Sequence, residues 1–178
     1  MDSTNWKPIS TVKYIFFAIS FLIFILILAT DDDHFIRIMD DANLVFHEAG
    51  HVIFGIFGDV VSLYGGTLGE LVFPLIAAIA FWRQRLLISC SVSLLWLFEN
   101  FIYIATYMGD ARAHELPLIG GIDPEVAHDW TNILNRWGML EYDTILSTGL
   151  KIIAWVGFFA TFLWVTYHFV STKSCRGK

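Results

Sequence analysis

Three side chains carry the chemistry most clearly: His47, Glu48 and His51, in the segment His47-Glu48-Ala49-Gly50-His51. Residues four apart on a helix share one face. Two imidazoles so placed can ligate one tetrahedral ion, and zinc is the ion this pattern suits. Glu48, beside the first histidine, is placed to take a proton from water as a general base. Hydrolysis is the chemistry implied. The plainer reading is a helix that merely turns His and Glu to water. The apolar neighbours weigh against it, because ionisable groups in membrane segments are costly and usually functional.

Two histidines and an open position call for a third protein ligand. The candidates are Glu70, Asp110, His114, Asp123, His128 and Asp129. The run His128-Asp129-Trp130 ranks first, since it offers a ligand with a carboxylate and an aromatic beside it. Asp110 ranks second, at the end of a long apolar stretch. Glu70 is either the ligand of a two-His-one-Glu site or a carboxylate suited to the start of its helix. Arg112 either stabilises an oxyanion or binds an anionic substrate group, or it pairs with a nearby acid. Glu99, Tyr103, Thr106 and Asp110 form a polar stripe at helical spacing on an otherwise apolar helix, with Asn100 beside it. That stripe reads as a polar cavity leading to the metal, with Tyr103 or Asn100 near substrate. It reads equally as a hydrogen-bonded cluster joining helices.

The elements that must position these residues follow from the apolar runs. Residues 12–29, at about 1.5 Å per residue, just cover a hydrocarbon core of about 30 Å, and the apolar runs 68–82, 86–108 and 144–170 are read as crossing once each with it. The run 12–29 exceeds a signal-peptide core and lacks a small-x-small site near Ala29, so it reads as an uncleaved anchor. Residues 42–57 predict a short helix holding His47 and His51, ended by Gly55, Gly58 and a loop from Asp59 to Thr67. The polar connection 109–143 contains Pro117, Gly120-Gly121 and Pro124, and predicts a short interfacial helix from Asp129 to Leu140. The expected fold is a single all-α membrane domain over 1–178. It has about four transmembrane helices, a half-inserted or re-entrant helix bearing the two histidines, and an interfacial helix.

Charge suggests an orientation. Lys7 and Lys13, the Arg83/Arg85 turn and the C-terminal Lys173, Arg176 and Lys178 favour the cytoplasmic side, and the acidic segments 31–41 and 109–143 the outer side. Four crossings satisfy this if the His47–His51 helix dips in from the outer face without crossing. Both termini are then cytoplasmic, and the site lies toward the outer face.

Composition agrees. The chain is 56% hydrophobic and 16% charged, where a soluble domain is about a quarter charged. A net charge of -6 gives no basic surface for nucleic acid. Cys90 and Cys175 do not form a disulfide framework.

The His-Glu-Ala-Gly-His segment in an apolar helix resembles the site-2-protease-like intramembrane zinc metalloproteases. That resemblance implies zinc ligation by His47 and His51, and water activation by Glu48. The third ligand in that family is the Asp of an Asp-Gly pair. No such pair occurs here, and Asp110 and Asp129 stand as its loose counterparts. The chain also looks like a family of small bacterial multi-pass membrane proteins of unassigned function. The likeness rests on His47–His51, Gly65-Gly66, Asp110–Arg112, Leu116-Pro117, Gly120-Gly121 and His128–Trp130. It covers about residues 44–143 and implies that the 110–130 connection belongs to the site.

The expected function is a membrane-embedded, Zn2+-dependent hydrolase. Its metal would be held by His47, His51 and one of His128, Asp129 or Asp110, with Glu48 as base and Arg112 as a candidate catalytic cation. Its partners would be the lipid bilayer and a membrane-associated peptide, protein or lipid substrate. A non-proteolytic metal enzyme acting on a lipid amide or ester, a lipid-modifying or redox enzyme, and a non-catalytic metal-binding module are the alternatives.

Overall fold

The computed structural model describes residues 6–30, 37–116 and 128–176. Asp123, together with Pro117, Gly120-Gly121 and Pro124, lies outside them. Among the described residues the secondary structure is helical, without strands. The helices are α1 (Thr11–Thr30), α2 (Arg37–Gly55), α3 (Asp59–Arg83), α4 (Leu87–Gly109), α5 (Asp129–Trp137) and α6 (Asp143–Arg176). A single 3-10 turn, Leu140–Tyr142, leads into α6. Four candidate spans, Thr11–Thr30, Asp59–Arg83, Leu87–Gly109 and Leu140–Lys173, are long and apolar enough to cross a membrane. The chain is an all-α membrane protein, as its apolar runs predict. The helix bearing the two histidines, α2, is not among those spans.

The first correction to the sequence reading is α3. The predicted loop Asp59–Thr67 is its first two turns. Glycine in water breaks helices, but in a membrane helix small residues let two backbones approach. Gly65 and Gly69 do this against α2, where Cβ atoms on either would collide with the backbone of Gly50 and its neighbours. The turn between α2 and α3 is only Ile56 to Gly58, and Gly58 takes φ 105, a left-handed value that glycine adopts freely. Helices α2 and α3 therefore form a tight antiparallel hairpin.

The remaining helices pack around that hairpin. Helices α3, α4 and α6 pack side by side, and α1 lies on α6 through stacked Phe21–Phe162 and Tyr14–Phe169 pairs. Their core holds Leu28, Leu95, Ile102, Ala154, Phe158 and Val165. At one end the backbone N–H of Lys7 donates to Arg85 O at 3.0 Å, Trp6 packs edge-on against Trp82 and Trp164, and the Arg85 guanidinium lies over the Trp6 ring. The first turns of α3 and the last turn of α4 form the other end, where α5 also sits on a second apolar cluster of Ile104, Met108, Trp130, Ile133 and Leu134. The outward faces are apolar, as lipid requires: Phe16, Ile76, Ile152 and Leu163 are all exposed.

Candidate metal centre

His47 and His51 project from α2 toward the first half of α3 and the start of α5. Gly66 makes the room for one of them, since a Cβ there would overlap the His47 imidazole. Four residues on, on the same face of α3, Glu70 Oε1 accepts a hydrogen bond from His47 Nδ1 at 2.6 Å. His51 Nδ1 donates to the carbonyl oxygen of Ser62 at 2.7 Å, and Ser62 Oγ donates back to His51 O at 3.1 Å. A carbonyl oxygen only accepts, so the His51 proton sits on Nδ1. A carboxylate oxygen likewise places the His47 proton on Nδ1.

Both Nε2 atoms then carry lone pairs, and they point at the same place. They lie 3.0 Å apart. Asp129 Oδ2 stands 2.9 Å from His47 Nε2 and 3.0 Å from His51 Nε2. Three acceptor atoms this close repel one another unless a cation lies among them. That is the donor set of a metal site: two imidazoles, one carboxylate, and an outer hydrogen bond fixing each ring. Ligand atoms about 2.0–2.1 Å from a tetrahedral zinc stand about 3.3 Å apart. The three atoms need open by only a few tenths of an ångström to suit it.

Without an ion, a proton does part of the same work. Burial of His47 opposes protonation, but hydrogen bonds and charge from Asp129 and Glu70 outweigh it and hold the ring's pKa up at about 10. The hydrogen bond to Asp129 also raises the pKa of His51. For Asp129, burial favours the neutral acid, yet the hydrogen bonds from the two histidines keep the carboxyl below its usual range.

Asp129 is held as firmly as the histidines. It is the first residue of α5, and its backbone N–H donates to Tyr107 Oη at 3.1 Å. The Tyr107 ring lies edge-on to His47 and leans on His128. His128 caps α5: its Nδ1 accepts from Thr131 N at 3.2 Å. Burial pushes the His128 pKa down, so the ring is neutral, with its one proton on Nε2, 3.5 Å from Asp110 Oδ2.

Of the ligands proposed from sequence, the structure brings together His47, His51 and Asp129. It does not bring His128 or Asp110 to them. His128 spends its lone pair on the helix cap. Asp110 accepts from Glu115 N at 2.8 Å and Leu116 N at 3.2 Å, and so closes the turn after α4. His114 Nε2 donates to Thr131 Oγ1 at 3.0 Å, and that hydroxyl donates to Ala111 O. Glu70 is neither ligand nor helix cap: α3 begins eleven residues before it, and it orients His47. Arg112 is committed to Asp143, through Nε at 2.9 Å and Nη2 at 2.6 Å. Glu48 is exposed on α2, one residue past His47.

Sequence reasoning missed Ser62 and Tyr107, and took Gly66 for a loop residue rather than the clearance for His47. The pair Gly66 and Glu70, one helical turn apart, was the available signal, but it is readable only once residues 59–67 are known to be helical. The chain matches no protein-family model, and comparison with curated proteins and with solved structures returned no significant match.

Proposed function

We propose that the chain is a membrane-embedded, zinc-dependent hydrolase that cleaves an amide bond in a membrane-associated peptide or protein. The observation that carries this reading is the convergence of His47 Nε2, His51 Nε2 and Asp129 Oδ2 within 3.0 Å, with both histidine protons held outward. The likeness of the His47–His51 segment to intramembrane zinc metalloproteases supports it. Zinc, when bound, supplies Lewis acidity and makes water a nucleophile near neutral pH. The chain's own residues supply the rest. Glu70 and Ser62 keep the two rings in their binding tautomers, Tyr107 and His128 hold Asp129 in register, and exposed Glu48 takes the proton from the attacking water.

Charge supports an orientation with Arg83, Arg85 and Lys173 at the cytoplasmic face of a bacterial inner membrane and the centre toward the outer face. Purified protein tests the whole reading. Wild type carries one zinc per chain and cleaves a membrane-anchored peptide library. Glu48→Gln keeps the zinc and loses the cleavage. A chain without zinc at any pH between neutral and mildly alkaline sinks the metal assignment. Zinc retained with activity indifferent to Glu48→Gln sinks the hydrolase and leaves a metal-binding module.

A further inference from the structure

Beside the centre, the interior of the bundle is unusually polar for a membrane protein. Asp40, Asn43, His47 and His51 recur along one face of α2. Glu99, Tyr103 and Thr106 recur along one face of α4, with Asn100 adjoining. The two rows meet where Asn43 Nδ2 donates to Glu99 Oε2 at 2.8 Å, and Trp96 Nε1 donates to Asn43 Oδ1 at 2.9 Å. Asn43, Glu99 and Asn100 have no solvent exposure, and Glu70 has 1%. Each of the last three nonetheless keeps a polar oxygen to which no hydrogen-bond donor of the protein is aimed: Glu99 Oε1, Asn100 Oδ1 and Glu70 Oε2. Thr106 Oγ1 is a fourth. The Asp40 carboxyl also reaches that of Glu99.

A buried polar atom without a partner is costly, and more so with no bulk water nearby. Four of them lie on α3 and α4 beside the centre, and His128 Nε2 and Trp130 Nε1 are others among the described residues. The four share one physical remedy. Polar, enclosed sites of this kind hold ordered water. We infer that a file of internal water runs from Glu70, at the back of His47, between α2 and α4 to Glu99 and Asn100. It is the route by which water and protons reach a centre set among apolar helices. Hydrolysis takes up water and releases protons at the centre, and such a file can relay them at the back of His47. That use rests on the proposed function; the presence of the water does not.

Water-edited solid-state NMR of the full chain in bilayers, with 15N-labelled asparagine and phenylalanine, reads the water directly and without metal. Polarisation from water should reach the side-chain amides of Asn43 and Asn100 within about threefold of the rate at partly exposed Asn132, as for groups bridged by a first-shell water. Glu99→Met should slow the transfer at Asn43 by about twofold or more, the loss of one of a buried water's roughly three hydrogen bonds. Thr106→Val, which keeps the side chain's shape, should leave the melting temperature level or lower. Transfer to Asn43 and Asn100 as slow as to Phe158 in the aromatic core overturns the inference. So does a higher melting temperature in Thr106→Val, because that marks a dry, unpaired hydroxyl. Either result leaves the metal assignment standing, whereas a chain without zinc leaves the water file standing.

Discussion

Two groups of two histidines and one aspartate lie side by side in this protein. One is His47, His51 and Asp129; the other is His114, His128 and Asp110. Their compositions are identical, and Asp129 follows His128 in the chain. They differ in what their lone pairs face. In the first group, both Nδ1 protons are drawn outward by Glu70 and Ser62, and three acceptor atoms converge within 3.0 Å. In the second, the acceptors are already spent on backbone N–H groups: Asp110 on Glu115 and Leu116, His128 on Thr131. The first could hold a cation, and the second closes a turn and caps a helix. Residue type alone does not make a metal site; the hydrogen bonds around it decide where the lone pairs point.

The largest expected effect separates the groups outright. His47→Ala, His51→Ala and Asp129→Ala each remove one ligand of three, and zinc affinity should fall by at least about 100-fold, to the loss of zinc on desalting. His114→Ala and Asp110→Asn should keep one zinc per chain and lower only the melting temperature. Elemental analysis of the purified variants decides it. Loss of zinc in the second set with retention in the first would reverse the two roles.

A smaller effect comes from the packing that admits His47. Gly66→Ala places a methyl group on the His47 ring, which must turn away from Glu70. Zinc affinity should drop about 10- to 100-fold, as when an outer hydrogen bond to a ligand is lost. Gly149→Ala is the matched control, since a Cβ there meets nothing within 4 Å. Competition with a chromogenic chelator measures both. Equal affinity in the two variants would mean that His47 needs no such clearance.

These contrasts also show what could be read in the sequence. The four spans were legible because lipid imposes long apolar runs, and the pair His47 and His51 because helical spacing puts them on one face. Asp129 was one of three ranked candidates. The choice among them was illegible, because it depends on which neighbour caps α5: His128 does, and that turns Asp129 toward α2. The start of α3 was misread for a related reason. Gly65-Gly66 marks a loop where glycine is exposed to water, but a contact face where another helix covers it. Only the hairpin with α2 distinguishes the two. Arg112 left two readings, and Asp143, thirty-one residues on, selects the ion pair.

Acid–base behaviour should separate the groups again, more gently. In metal-free protein His47 is held protonated up to a pKa of about 10, above its ordinary 6.5. Zinc binding at neutral pH must expel that proton, so affinity should rise by about tenfold per pH unit toward that value. Calorimetry in buffers of different ionisation enthalpy should find about one proton released per zinc from His47. The same shift sets a stability trend. A raised pKa contributes stability that is full below pH 6.5 and is lost as pH rises through about 10. Metal-free wild type should therefore melt lower in alkali than at neutrality, and Asp129→Asn should blunt the trend. His128 contributes nothing over that window, because burial keeps it neutral. A metal-free chain whose melting is as flat as that of Asp129→Asn would remove the proton from the centre.

The smallest effect concerns the turn that carries the second group. Arg112 lies between Asp110 and His114 and grips Asp143 with two parallel hydrogen bonds, tying that turn to the first residue of α6. Asp143 is buried, while the Arg112 side chain is about half exposed, so solvent screens much of the pair's charge. What remains is geometric. The guanidinium fork matches both carboxylate oxygens, and a lysine ammonium meets them as a single point. Arg112→Lys should therefore lower the melting temperature by only a few degrees and leave zinc content and affinity at wild-type values. An arginine that served the centre directly would behave otherwise: its loss would cut turnover on the peptide library while melting stayed the same. Thermal melting and cleavage assayed on one preparation of Arg112→Lys distinguish a brace for the capping group from a working part of the metal centre.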